Sequence, residues 1–347
     1  TVSTWFCGAG FGIMGLFAAS HTSDALVMDM SPKIYRRLTF WTWAGMFLVL
    51  LGGVLVTNTD SGLGCGTDFP LCNGKLLPEP TPESIIEYSH RLATGLTGIL
   101  IIASFFATWL RPYRSAESLA YAWGLVAFTV LQSALGAAAV MWPQSSAVMA
   151  LHFGISLIAF AFSWLLADYG RTVAAAKAGG ETKSAASLRP VSRAMISLTA
   201  SLLAYCYLVV YLGAFIRHTG SAGGCIGWPL CNGEVIPDLQ GETGIAFLHR
   251  MAALVLVAGI GALAAIVNRL TDGRRELVAP ARAAFVLVLL QALSGGVLAL
   301  TIDEETLYVF TAMLHTLIIS LLFGQLTLLF VRTLKLARSP APAADDR

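Results

Sequence analysis

Polar and apolar positions in this chain are segregated in long blocks rather than alternating. Seven stretches contain no Lys, Arg, Asp or Glu: 38–59, 92–110, 118–167, 194–216, 251–268, 283–302 and 306–331. A membrane-spanning helix needs roughly 20 predominantly apolar residues, and the third stretch is about twice that long. It breaks at Trp142-Pro143-Gln144-Ser145-Ser146, which reads as a short interfacial turn. The pattern predicts an all-α integral membrane protein with eight transmembrane helices, near 39–57, 87–110, 118–141, 147–167, 194–216, 244–267, 282–301 and 307–331.

Composition and charge sharpen this picture. The 347 residues are 56% apolar and 12% charged, with mean hydropathy +0.72, whereas soluble domains carry about 25% charged residues. An ordinary cytosolic enzyme is excluded, and a net charge of +2 gives no nucleic-acid signal. The basic residues instead set topology. With the start of the first helix at the cytoplasm, 18 of the 22 Lys and Arg fall inside. Only Lys75, Arg91, Arg217 and Arg250 fall on or near the outer side. Residues 1–37 form a leader, in which 1–23 is either a ninth span or an interfacial segment. No basic region precedes its apolar part, so it is not a standard secretory signal. Residues 168–193 read as a cytoplasmic linker. The tail 336–347, rich in Ala, Pro and Asp from Ser339, reads as disordered.

The helices belong to an internal duplication. Gly53, Thr59, Ser61, Cys65, Pro70-Leu71-Cys72-Asn73-Gly74, Pro78 and His90-Arg91 recur as Gly213, Thr219, Ser221, Cys225, Pro229-Leu230-Cys231-Asn232-Gly233, Pro237 and His249-Arg250, at an offset near 159. Gln132 and Gly136 recur as Gln291 and Gly295, and His152 finds its mate in His315. Each copy, 38–167 and 194–335, supplies four helices. Because four is even, the copies should be parallel repeats about an axis along the membrane normal, each a bundle able to place ligands on facing helices. Gly45, Gly52-Gly53, Gly95 and Gly98 should let helices approach closely.

Four histidines, His90, His152, His249 and His315, fall at one shallow depth, two per half, on the second and fourth helices. Ionisable side chains are costly inside a membrane and mark function there. Imidazole is an axial ligand of heme iron, so each pair suits a bis-histidine b-type heme; another metal or a proton path are the alternatives. Zinc wants four ligands, and no carboxylate or thiol accompanies both pairs. Glu87 lies one turn before His90 on the same face, but Ala246 stands at its match. That asymmetry suggests that one heme site reacts while the other stores or relays electrons, with Glu87 in proton transfer. A solvated carboxylate at a helix start is the alternative. Arg91, Arg217 and Arg250, with Lys75, are candidates for holding heme propionates or for snorkelling to lipid headgroups. Four loop cysteines allow three pairings; the repeat favours Cys65–Cys72 and Cys225–Cys231, as loop staples or redox-active pairs. Cys206 reads as buried packing.

The run Gly62-Leu63-Gly64-Cys65, Pro70-Leu71-Cys72-Asn73-Gly74 and Ile85-Ile86-Glu87-Tyr88-Ser89-His90-Arg91 resembles the first outer loop and second helix of heme A synthase. Arg217-His218-Thr219 and Cys225-Ile226-Gly227-Trp228-Pro229-Leu230-Cys231-Asn232-Gly233 resemble that family's second-half loop, and the likeness covers about residues 38–335. The resemblance implies eight helices in two halves and oxidation of the C8 methyl of heme O to the formyl of heme A by successive hydroxylations. It implies heme b on His249 and His315, heme O received at His90 and His152, and Glu87 in catalysis. It matches the bacterial form with cysteine pairs in both outer loops, the first pair being implicated in activity. It further implies the bacterial cytoplasmic (inner) membrane, with these loops outside. The implied partners are heme O synthase, the cytochrome oxidase assembly machinery and an unidentified electron donor or acceptor. Asn58, Asp60 and Phe69 depart from the basic, glycine and tryptophan residues common in relatives. The rival readings are a diheme electron-transfer protein resembling a quinol dehydrogenase, and a heme carrier.

Overall fold

A computed structural model describes residues 30–338 apart from 69, 111, 143, 180–190 and 272–273. It contains eight helices: α1 (Pro32–Asn58), α2 (Pro82–Trp109), α3 (Ala116–Met141), α4 (Ser146–Lys177), α5 (Arg193–Thr219), α6 (Gly241–Leu270), α7 (Arg275–Leu300) and α8 (Glu305–Arg338). All eight are long and apolar enough to cross a membrane, and no strand occurs among the described residues. The protein is an all-α, multi-pass membrane protein. The readings of residues 1–23 and of the tail from Ser339 lie outside the described residues.

The starts of α1 to α5 follow capping chemistry rather than hydropathy. Thr81 caps α2 by accepting from Ser84 N at 3.3 Å, and Pro82 takes the first helical position, where its missing N–H costs nothing. The helix thus begins five residues before the predicted start at 87, so Glu87 and His90 lie in its second and third turns rather than at its end. Likewise α4 does not stop at 167. The stretch 168–177, expected as linker, stays helical because its alanines favour helix and Asp168 is satisfied by ion pairs with Arg171 and Arg332.

Within each half the neighbours are the same. Helix α1 packs on α2 and α4, and α3 on α2 and α4; α5 packs on α6 and α8, and α7 on α6 and α8. Between halves, α4 meets α5 and α8, and α1 meets α8. The central pair is the best covered: 56% of the apolar window of α4 and 50% of that of α8 lie inside the protein, against 11% for α3. Leu157, Phe160 and Leu166 of α4 and Leu322, Leu326 and Leu329 of α8 are fully buried there. In a bilayer such contacts hold by close packing rather than by expulsion of water, so small residues matter. A Cβ on Gly154 would sit 2.5 Å from the Tyr207 hydroxyl, and one on Gly324 2.5 Å from the Trp164 ring. Gly45 fits the same expectation, with Thr97 of α2 against it. Gly95 and Gly98 do not: nothing lies within 4 Å of either, because α2 turns Thr97 and His90, not these glycines, toward α1.

The ends of the bundle are fastened differently. At the end carrying the α1–α2 and α5–α6 loops, Arg217 donates to Thr57 O (2.7 Å) and Asn58 Oδ1 (2.8 Å), with Asp60 at 3.7 Å. Ser146 donates to His218 O there (2.7 Å). At the opposite end Arg332 pairs with Asp168 at 3.1 Å, and Lys335 with Glu117 at 2.8 Å.

Candidate functional site

The site is roofed by the two long loops, each closed by a disulfide: Cys65–Cys72 in α1–α2 and Cys225–Cys231 in α5–α6. These are the pairs that the repeat favoured. Asn73 and Asn232 adopt left-handed backbone (φ 50° and 55°) ahead of Gly74 and Gly233, a conformation asparagine tolerates better than most residues. The tight turns put Cys72 opposite Lys75 and Cys231 opposite Glu234. Each loop rests on the first turn of the next helix. A Cβ on Gly64 would fall 2.4 Å from the Glu83 carbonyl, and one on Gly224 2.5 Å from the Glu242 carbonyl carbon.

Arginine ties each loop to the histidine-bearing helix. Arg91, next to His90, donates to Asp68 O (2.7 Å) and Leu71 O (2.6 Å). Arg250, next to His249, donates to Cys225 O (2.5 Å) and Leu230 O (3.1 Å). Both guanidinium groups therefore grip loop carbonyls; neither simply extends to a headgroup. Lys75 pairs with Glu79 at the surface. Arg217 joins α5 to the end of α1, as described above.

Glu87 is the only buried carboxylate among the described residues, at 3% exposed. Its Oε2 accepts from Cys65 N at 2.7 Å, and its Oε1 accepts from Arg91 Nε (3.1 Å) and Nη2 (2.5 Å). The carboxylate thus links the disulfide, the arginine and the helix turn bearing His90. A solvated carboxylate at a helix start does not describe it. In the second half Ala246 is buried beside Cys225 and Cys231 instead.

Each imidazole lies against a glycine on the preceding helix. His90 faces Gly52 and Gly53, and His249 faces Gly213; ideal Cβ positions come within 2.9 Å of the ring at Gly52 and Gly213. His152 faces Gly136 (3.4 Å) and His315 faces Gly295 (3.2 Å). His90 and His152 lie within electrostatic reach of one another, as do His249 and His315. Each predicted pair thus sits within one half, on α2 and α4 and on α6 and α8. The Nδ1 atoms of His90, His152 and His249 are buried without a hydrogen-bond partner. His315 differs: Ser294 Oγ stands 2.9 Å from its Nδ1 and Gln291 Nε2 stands 2.8 Å from its Nε2. Above it, the Trp228 indole of the second loop covers Gly296, one residue past the Gly295 wall. Phe69, its counterpart in the first loop, lies outside the described residues.

Two imidazoles per half, each against a wall without a side chain and three of the four with an unmet Nδ1, suit a flat group held between them. Among the described residues no three His, Cys, Asp or Glu side chains converge, as a zinc site would need. The donor set therefore fits heme. Sequence reasoning missed Ser294 and the use of glycine as a wall for each ring. Gly136 and Gly295 were visible as a repeated pair, but nothing in the sequence said which side chain they face.

The profile of the COX15-CtaA family, described as cytochrome oxidase assembly protein, matches residues 79–327. The chain belongs to this family. Heme A synthase of Symbiobacterium thermophilum is 39% identical over 88% of this chain and 97% of its own length. Heme A synthase of Geobacillus kaustophilus is 39% identical over 88% of this chain and 93% of its own. That of Shouchella clausii is 40% identical over 84% and 94%. The family match spans Glu87, all four membrane histidines, the second disulfide loop and Ser294.

Proposed function

We propose that this protein is a heme-dependent membrane oxidoreductase that converts heme O to heme A for cytochrome oxidase assembly, oxidising the C8 methyl to a formyl group by successive hydroxylations. The observation that carries the reading is four histidines each set against a glycine, three of them with a buried Nδ1 that has no partner, in a chain similar along most of its length to heme A synthases. His249 and His315 would hold a resident heme b, whose iron supplies electron-transfer chemistry when bound. His90 and His152 receive the substrate, heme O. Glu87 holds or takes a proton beside His90, at Oε1 or Oε2, and is fixed there by Cys65 N and Arg91. Arg91 and Arg250 keep the disulfide loops seated above the two sites, and together with Arg217 they are the candidates for holding heme propionates.

The halves, 38–167 and 194–335, are read as parallel repeats about an axis normal to the membrane. Such an axis exchanges the α1–α8 contact with the α5–α4 contact, and both occur. The loop end lies on the outer side of a bacterial inner membrane, because most basic residues cluster at the other end. Heme O synthase and an unidentified electron donor or acceptor are the expected partners.

The decisive experiment expresses the chain with a heme O source and identifies the extracted hemes by chromatography and mass. Hydroxylated and formyl products are expected, and Glu87→Gln should keep folding and resident heme while lowering conversion by roughly 10²–10⁴-fold. Unchanged heme O would instead point to a diheme electron-transfer protein or a carrier.

A further inference from the structure

Ser294 sits on α7, one residue before the glycine wall of His315, and is 6% exposed. Its Oγ donates to the Gln291 backbone carbonyl at 3.0 Å. A hydroxyl has one proton, and that carbonyl can only accept. The same oxygen therefore meets His315 Nδ1, 2.9 Å away, as an acceptor, and Nδ1 carries the ring proton. On the other side of the ring, the Gln291 amide nitrogen can only donate and stands 2.8 Å from Nε2. With the hydroxyl accepting from Nδ1, the lone pair lies on Nε2, where the Gln291 amide meets it and would have to yield to iron. Gln291 Oε1 is itself buried without a partner.

The first half lacks this device. Leu135 stands where the repeat places Ser294, and His152 Nδ1 has no partner. Gln132, the match of Gln291, accepts from Ser156 through its side-chain oxygen instead. The two Gln-Gly-His sets thus differ in where the hydroxyl stands: Ser294 beside His315 in the second half, against Leu135, and Ser156 beside Gln132 in the first, against Ile319. His315 is met at both ring nitrogens, whereas His152 Nδ1 is unmet and its ring has only the Gln132 backbone as a hydrogen-bond partner.

We infer that Ser294 is a positioning residue that would hold Nε2 of His315 toward the iron of a resident heme, and that Leu135, in its place in the first half, leaves the His152 side freer to release its heme. This rests on the reading of His315 as a heme ligand. A ligating imidazole that donates its other N–H is fixed in orientation and is the more basic ligand, and loss of such a partner typically weakens metal affinity about 10–100-fold. A resident cofactor needs that hold; a substrate that must depart as product does not.

The test uses the full chain with its resident heme and compares Ser294→Val with Ser294→Thr. Thr and Val have the same shape, so a packing defect affects both and their difference isolates the hydroxyl. Heme loss to excess apomyoglobin and the midpoint potential of the retained heme are measured, with His315→Ala as reference. The Val variant should bind its heme about 10–100-fold more weakly and show a raised potential, while the Thr variant stays close to the unsubstituted protein. Equal heme retention and potential in Val and Thr variants, with heme lost from His315→Ala, would overturn the role of Ser294 alone. Full heme content in His315→Ala would overturn the ligand reading and this inference with it.

Discussion

A side chain at Gly213 would meet the His249 ring at 2.9 Å, inside the separation that non-bonded carbon atoms tolerate. Overpacking of this kind costs about 1–3 kcal/mol, and here the atom that must move is the imidazole itself. Gly213→Ala should therefore lower the heme content of the purified protein as well as its thermal stability. Gly95→Ala, on a helix face with nothing within 4 Å, should change neither; pyridine hemochrome spectra and unfolding curves check both. At this scale the four histidines and Glu87 were legible because duplication made them recur, or conspicuously fail to recur. Ser294 was not. It is a single serine in one copy, and its meaning lies in a proton shared among Gln291, His315 and itself, which only helix facing reveals.

Among elements, the loops show how far a motif can be read. The His-Arg pairs and cysteine spacings announced two matching caps over two histidines. What the sequence withheld was the direction of the arginines, whose partners lie some twenty positions upstream in Leu71 and Leu230. Arg250 bonds both a disulfide cysteine carbonyl and Leu230 O, so its removal should unseat the second loop. Arg250→Ala should speed phosphine reduction of Cys225–Cys231 several-fold, read by alkylation of the freed thiols. An unchanged rate would mean that the disulfide ring holds its place without the arginine. Helix existence was likewise plain in hydropathy, but helix ends were not. Capping by Thr81 and the ion pairs of Asp168 decided them, and neither contributes to an apolar average.

Over the whole molecule, the halves meet along α4 and α8, the helices that carry His152 and His315. Charge-free tracts gave the number of helices, and the repeat gave two groups of four. The identity of the central pair comes only from packing, where Gly154 and Gly324 admit Tyr207 and Trp164 across the seam. At the loop end the seam depends on Arg217, bonded to Thr57 and Asn58 of the other half. Arg217→Ala should lower the unfolding midpoint by a few degrees, since bonds from a charged donor count for more than neutral ones. Lys75→Ala, which breaks only a surface pair of little worth, should not.

The opposite end depends on opposite charges, Asp168 with Arg332 and Glu117 with Lys335, all partly open to solvent. Dissolved ions screen such pairs, over a Debye length of about 8 Å at physiological strength. They have less hold on the loop end, where Arg217 bonds a carbonyl and an amide at 2.7 and 2.8 Å and its ion pair with Asp60 is long, at 3.7 Å. Brine should therefore relax only one jaw of the protein. The two halves would then act like a clothes-peg, gripping beside the stapled loops and giving way at the far tips.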